Sequence, residues 1–86
     1  VSARDPVADL RRIAFLLERA REPTYRVRAF RTAAARAESL PRDELVERAL
    51  AETLPELPGI GATTARCITE SLAGRTPEYL RRLEAT

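Results

Sequence analysis

Apolar residues recur at helical spacing in successive stretches of the chain, each bounded by proline or glycine. The first stretch opens at Asp5-Pro6, where a carboxylate can cap free N–H groups and proline fits the first helical position. Leu10, Ile13, Ala14, Leu17 and Ala20 then carry an amphipathic helix to about Arg21, short of Pro23. Thr24 is placed to cap a second helix running to about Ser39, with Val27, Phe30, Ala33, Ala34 and Ala37 on its inner face. The small residues there allow a neighbouring helix to come close. Beyond Pro41 a third helix is expected over residues 43–51, with Leu45, Val46, Ala49 and Leu50 facing inward.

Thr53 can cap a short helical turn from Leu54 to Leu57, and Pro58-Gly59-Ile60-Gly61 makes a sharp turn that no helix continues through. A new helix begins near Ala62, carries Ala65, Ile68 and Leu72 on one stripe, and stops at Gly74, a residue suited to a left-handed cap. Thr76-Pro77 repeats the cap-and-proline start, and Tyr79, Leu80 and Leu83 form a last short helix. The pattern predicts an all-α fold, a compact four- to five-helix domain. Residues 1–86 read as a single domain without repeats, low-complexity tracts or linkers.

Composition narrows the picture. A chain of 86 residues has room for one modest core, and folding hides only ~60% of the surface its unfolded chain exposes. The residues are 44% hydrophobic but 5% aromatic, so the core must be built from Leu, Ile, Val and Ala. One cysteine, Cys67, and no histidine exclude an internal disulfide and a Cys/His metal site, and fit a cytoplasmic location. No apolar run approaches the ~20 residues that span a bilayer, and residues 1–9 lack the apolar core of a signal peptide, so no membrane partner is expected.

All 15 basic residues are arginine, and the net charge is only +2. Distribution says more than the total. Residues 1–36 hold nine arginines and four acids, residues 37–58 two and six, and residues 59–86 four and three. One end is basic and the middle is acidic, which fits either an anionic partner or an ordinary solvated surface.

In Leu57-Pro58-Gly59-Ile60-Gly61-Ala62-Thr63-Thr64-Ala65, two glycines flank one apolar residue just before a helix N-terminus. Such a turn can cradle a phosphate. Glycine permits left-handed angles and close approach, while the free N–H groups and positive dipole end of the next helix face the anion. Ile60 would point inward and pin the turn. The same glycines would also serve a plain tight connection between two helices.

The wider string resembles the hairpin of the helix-hairpin-helix family of DNA-binding proteins. Tyr25-Arg26-Val27-Arg28-Ala29-Phe30-Arg31-Thr32-Ala33-Ala34, together with the Leu-rich first helix, resembles the amino-terminal lyase domain of family X DNA polymerases such as DNA polymerase beta. The likeness covers about residues 5–84. It implies one helix-hairpin-helix motif that grips the backbone of gapped DNA, single strands or DNA ends. The implied phosphate contacts are Gly59, Gly61, Ala62, Thr63, Thr64 and Arg66 at the hairpin, the amides of Gly59, Gly61 and Thr63 facing the anion. It further implies a K+ or Na+ ion on the carbonyls of Pro55, Leu57 and Ile60, bridging to a phosphate oxygen.

The departures from that family matter as much. Its lyase members use a lysine on the helix after the hairpin to form a Schiff base with a sugar aldehyde. Here that place holds Cys67, and the chain has no lysine at all. Arginine stays protonated and is a poor nucleophile, so the Val1 amine is the one amine left. In the family's 5′-phosphate pocket, Arg26 keeps a charge, Phe30 lacks a tyrosine's hydroxyl and Thr63 replaces a lysine. Phe30 reads better as core than as a base-stacking platform.

Arg26, Arg28 and Arg31 lie within two turns of the second helix, with Arg36 further along, and can add phosphate contacts or simply face solvent. Arg66 travels with the hairpin but can instead pair with Glu70 at i+4. Cys67, with no base available to activate it, reads as a half-buried structural thiol. The acids Asp43, Glu44, Glu47, Glu52 and Glu56 read as solvated surface. The expectation is a non-enzymatic, sequence-independent DNA-binding module, the front part of a longer bacterial chain. It would position a C-terminal catalytic domain, either a family X polymerase or a phosphoesterase of the polymerase-and-histidinol-phosphatase type. An abasic-sugar lyase and a protein-interaction module are the alternatives.

Overall fold

Asp5 caps the first helix through its side chain: Oδ1 accepts the Val7 N–H at 2.9 Å, and Pro6, with no N–H to leave unsatisfied, opens α1 (Pro6–Arg19). The computed structural model describes residues 4–86, and the Val1 amine lies outside the described residues. The chain continues through α2 (Thr24–Glu38), α3 (Arg42–Ala51), a single 3-10 turn (Leu54–Glu56), α4 (Ala62–Leu72) and α5 (Glu78–Glu84). The fold is all-α.

Two expected threonine caps are replaced by prolines. Pro23 and Pro77 occupy the cap positions, and Thr24 and Thr76 make no capping bond. The Pro23 carbonyl accepts from Arg26 and the Pro77 carbonyl from Arg81, so the ring's fixed φ sets each helix entry. At the start of α5 the Glu78 N–H finds an acceptor in Glu70 Oε1 at 3.1 Å, on the carboxylate that was the alternative partner for Arg66. Thr53 likewise provides no side-chain cap for the 3-10 turn. Gly74 does adopt the left-handed conformation expected of it, with φ +85.

α1 and α2 run antiparallel. Arg11 pairs with Glu38 and Glu18 with Arg31, each at 2.8 Å, so advancing along one helix means retreating along the other. Between them Leu10, Ile13 and Leu17 meet Phe30, Ala33 and Ala34, where methyl side chains let the backbones approach. α4 closes the core with Ile68, and α5 adds Leu80.

α3 departs from the sequence reading. Of the four positions expected to face inward, Leu45 is buried and Ala49 half-buried, whereas Val46 is 36% and Leu50 81% exposed. The four apolar positions span a wider arc than the one face this short helix packs inward. Among the described residues, no helix is long and apolar enough to cross a membrane.

Two substitutions test this core from opposite directions. Ile68→Ala removes a fully buried side chain and is expected to cost about 2–5 kcal/mol, a large share of what a small domain has. Ser71 is fully buried with an Oγ that has no hydrogen-bond partner among the described residues, so Ser71→Ala is expected to stabilise by about 1 kcal/mol. Urea denaturation followed by circular dichroism reads both shifts.

Candidate nucleic-acid interface

The hairpin between the 3-10 turn and α4 is fixed by two buried side chains, Leu57 and Ile60, and by the Ile60 N–H donating to the Leu57 carbonyl at 3.1 Å. Between them Gly59 takes φ +91, a conformation that L side chains strongly disfavour. A Cβ built there would also sit 3.0 Å from Thr32 Cγ2 of α2. Gly59 is therefore glycine for two internal reasons.

Gly61 is different. Its φ of −101 and ψ of −173 suit any residue, and a Cβ there would meet nothing within 4 Å. No contact inside the domain asks for glycine at this position. Its N–H, expected to face an anion, instead donates to Thr64 Oγ1 at 2.9 Å, and that hydroxyl lies 3.2 Å from the Gly61 carbonyl. Thr64 is buried, and its side chain secures the start of α4.

The amides left over are those of Gly59, Ala62, Thr63 and the Thr64 backbone, none of which has a hydrogen-bond partner among the described residues. They cluster at the positive end of the α4 dipole. Of the three hairpin carbonyls implied as cation ligands, those of Pro55 and Ile60 also have no partner, while the Leu57 carbonyl is shared with the Ile60 N–H. Hard oxygen donors of this kind fit K+ or Na+. Among the described residues, no cluster of His, Cys, Asp or Glu could hold a metal ion.

The hairpin forms one wall of a cleft of about 540 Å³, with Tyr25 and Arg26 of α2 opposite and Tyr79 of α5 at one side. Phe30 closes its base. Its buried ring packs on Tyr79 with centroids 4.9 Å apart, as the core reading expected. Arg26 has its pKa raised above the ordinary value, first by the Tyr25 hydroxyl and next by Tyr79, so both phenols stand within electrostatic reach of the guanidinium.

Of the residues singled out from sequence, this cleft unites Arg26, Gly59, Gly61, Ala62, Thr63 and Thr64. Arg28 and Arg31 lie apart, beside Glu18 and Glu22 in a hollow between α1 and α2, and Arg31 is tied to Glu18. Arg26 is tied to Glu22 at 2.9 Å. Arg66 flanks the other side of the hairpin near Pro55 and Ala62, exposed and without an ion pair among the described residues.

Two contributors escaped the sequence reading of the site, Tyr25 and Tyr79. Tyr25, 70% exposed, sits out of register with the inner face of α2, which was a usable signal. Tyr79 reaches the cleft only because α5 folds back. Arg36, already singled out from sequence, packs its Cβ near Gly59 and buries an Nε that has no partner among the described residues.

Cys67, by contrast, faces the core. It is 2% exposed, and burial first, then Glu70 and Asp9, push its thiol from an ordinary 9.0 up to about 11, with Arg66 opposing. The expected half-buried thiol is fully buried.

Two outcomes follow. Gly59→Ala is expected to cost at least about 1–2 kcal/mol, and Gly61→Ala less, on the order of 0.5–1 kcal/mol, because glycine is the better N-cap for α4, by thermal melting. On unfolding, the Cys67 thiol returns to its ordinary range and ionises where the folded form stays protonated. The unfolded state thus sheds the proton first, and stability declines as pH rises from 9.0 to about 11. Cys67→Ser is expected to flatten that decline in urea titrations run across the window.

A model of the helix-hairpin-helix domain family matches residues 3–77, which takes in every element from α1 through α4. No curated protein and no solved structure matches the chain. With the hairpin held between buried Leu57 and Ile60 and the family model covering most of the sequence, this chain belongs to the helix-hairpin-helix domain family.

Proposed function

We propose that this domain binds DNA through its sugar-phosphate backbone without regard to sequence. Helix-hairpin-helix domains commonly bind DNA, and the observation that carries the reading here is Gly61. Nothing inside the domain requires glycine there, yet the position opens directly onto the free amides of Ala62 and Thr63. An external group that must approach the backbone closely accounts for it, and a phosphate at a helix N-terminus is such a group. Amide contacts of this kind fix position on a strand and carry no base information.

In this reading Arg26 faces the anion across the cleft, Arg36 and Arg66 flank the hairpin, and Arg28 and Arg31 serve at most as distant charge. The carbonyls of Pro55, Leu57 and Ile60 would hold a K+ or Na+ ion, which supplies positive charge toward a phosphate oxygen. The likeness of residues 25–34 to family X polymerases supports a role in positioning a catalytic domain of the same chain on gapped DNA, single strands or ends. The domain itself acts as a binder: it contains no lysine, and its one thiol is buried.

Fluorescence anisotropy with labelled single-stranded and gapped oligonucleotides of scrambled sequence tests this. Affinity is expected to vary little with sequence and to fall linearly on a log-log plot against salt, with a slope near −0.7 per phosphate neutralised on single strands. Gly61→Val should abolish binding and leave the domain folded, its melting temperature lowered only modestly by the poorer N-cap. Arg66→Ala should weaken binding evenly across sequences and reduce the slope by about 1. Wild-type affinity in Gly61→Val would sink the proposal.

A further inference from the structure

Away from the hairpin, a hollow of about 690 Å³ opens between α1, the end of α2 and the start of α3. Val7, Leu40 and Leu45 give it an apolar floor, and Arg11, Arg12 and Arg42 line its edges. Phe15 stands at its rim, 46% exposed, with the Arg12 and Arg19 guanidinium carbons 5.6 and 5.7 Å from the ring centre. Arg11 is tied to Glu38 and Arg12 to Glu84, and Asp5 also lines the hollow, whereas Arg42 has no ion pair among the described residues. Beside the apolar floor, Arg42 is the unpaired cation of this flank.

The outer surface of α3 continues from that hollow. Side chains step round a helix by about 100° per residue, so moving away from the hollow the order is Arg42, Val46, Leu50, Asp43, Glu47. Val46 and Leu50 are the exposed apolar pair described above. Past them lies a second hollow of about 530 Å³, lined by Asp43, Glu44, Glu47 and Glu56, with Arg48 its one basic residue. The surface therefore reads, in one direction, basic, apolar, acidic.

That order restricts what can cover it. A uniformly acidic partner would satisfy the arginines but lie against Asp43 and Glu47, and a uniformly basic one would fail at the other end. The surface needs a partner with the same three zones in reverse order. Its own copy, turned by a two-fold axis through Val46 and Leu50, presents that arrangement. We propose that α3 pairs with α3 of a second copy of this chain, with Leu50 and Val46 at the centre and Arg42 facing the partner's acidic flank on both sides.

The exposed part of a ten-residue helix is about 15 Å long. That face falls well short of the ~800 Å² per partner of a standard-size interface, so the contact is a small one. The pairing is consequently concentration-dependent and salt-sensitive. It is independent of the DNA-binding reading, because neither Gly59 nor Gly61 takes part.

Sedimentation equilibrium of the 86-residue chain at rising concentration and low salt reads the result directly. The weight-average mass is expected to climb from 9.6 kDa toward twice that value, and added salt should lower it. Leu50→Glu should remain monomeric with an unchanged circular dichroism spectrum. Arg42→Glu and Glu47→Arg should each be monomeric alone, since each places like charges across the axis twice, whereas an equal mixture of the two should pair again. A wild-type chain monomeric at every concentration, a Leu50→Glu chain that still dimerises, or a mixture that stays monomeric would each overturn the proposal.

Discussion

The seating of Ile60 and Leu57 in the core governs what the hairpin can present. With both side chains buried, the backbone between them has to turn outward, and the left-handed Gly59 is the residue that lets it do so while pressed against Thr32 of α2. The start of α4 follows from that turn. Thr64 closes on the Gly61 amide and carbonyl, which leaves the amides of Ala62, Thr63 and Thr64 pointing the same way as the helix dipole. A surface of free amides thus results from packing that would be favourable even without a ligand.

Much of this was legible in the sequence. Asp5-Pro6, Gly74 and the periodic Leu, Ile and Ala positions located the helices within a residue or two, because caps and core periodicity are local signals. The hairpin was legible for the same reason. What escaped depended on how helices meet. Val46 and Leu50 look like core in a pattern of apolar positions, but α3 packs only the arc centred on Leu45. The tie of Arg31 to Glu18 reflects the antiparallel register of α1 and α2, whereas that of Arg26 to Glu22 is a local pair four residues apart. Tyr79 joins the cleft because α5 returns across the molecule. The Gly61 amide was misread because a threonine hydroxyl three residues on competed for it, a choice made by a rotamer and not by spacing.

Charge divides the domain. Arginines near the hairpin stand exposed or tied by single surface ion pairs, which are weak and yield readily to a stronger anion. The acids of α3 and the 3-10 turn collect on a separate flank, beside Arg48. A near-neutral total conceals two surfaces of opposite character, and their placement sets the hairpin end apart from the acidic flank. Cys67 illustrates the same economy of position: it stands just behind the hairpin in sequence, yet its side chain belongs to the core and is kept protonated by burial.

The central claim is that the hairpin amides are the contact points for DNA, and an amide-resolved NMR titration with a short single-stranded oligonucleotide addresses it most directly. The account predicts that the resonances of Gly59, Ala62, Thr63 and Thr64 move first and furthest, with Arg26 and Tyr25 following and the α3 amides unmoved. Saturable shifts centred on α3 or on the α1 side of the domain, with the hairpin amides silent, would contradict it.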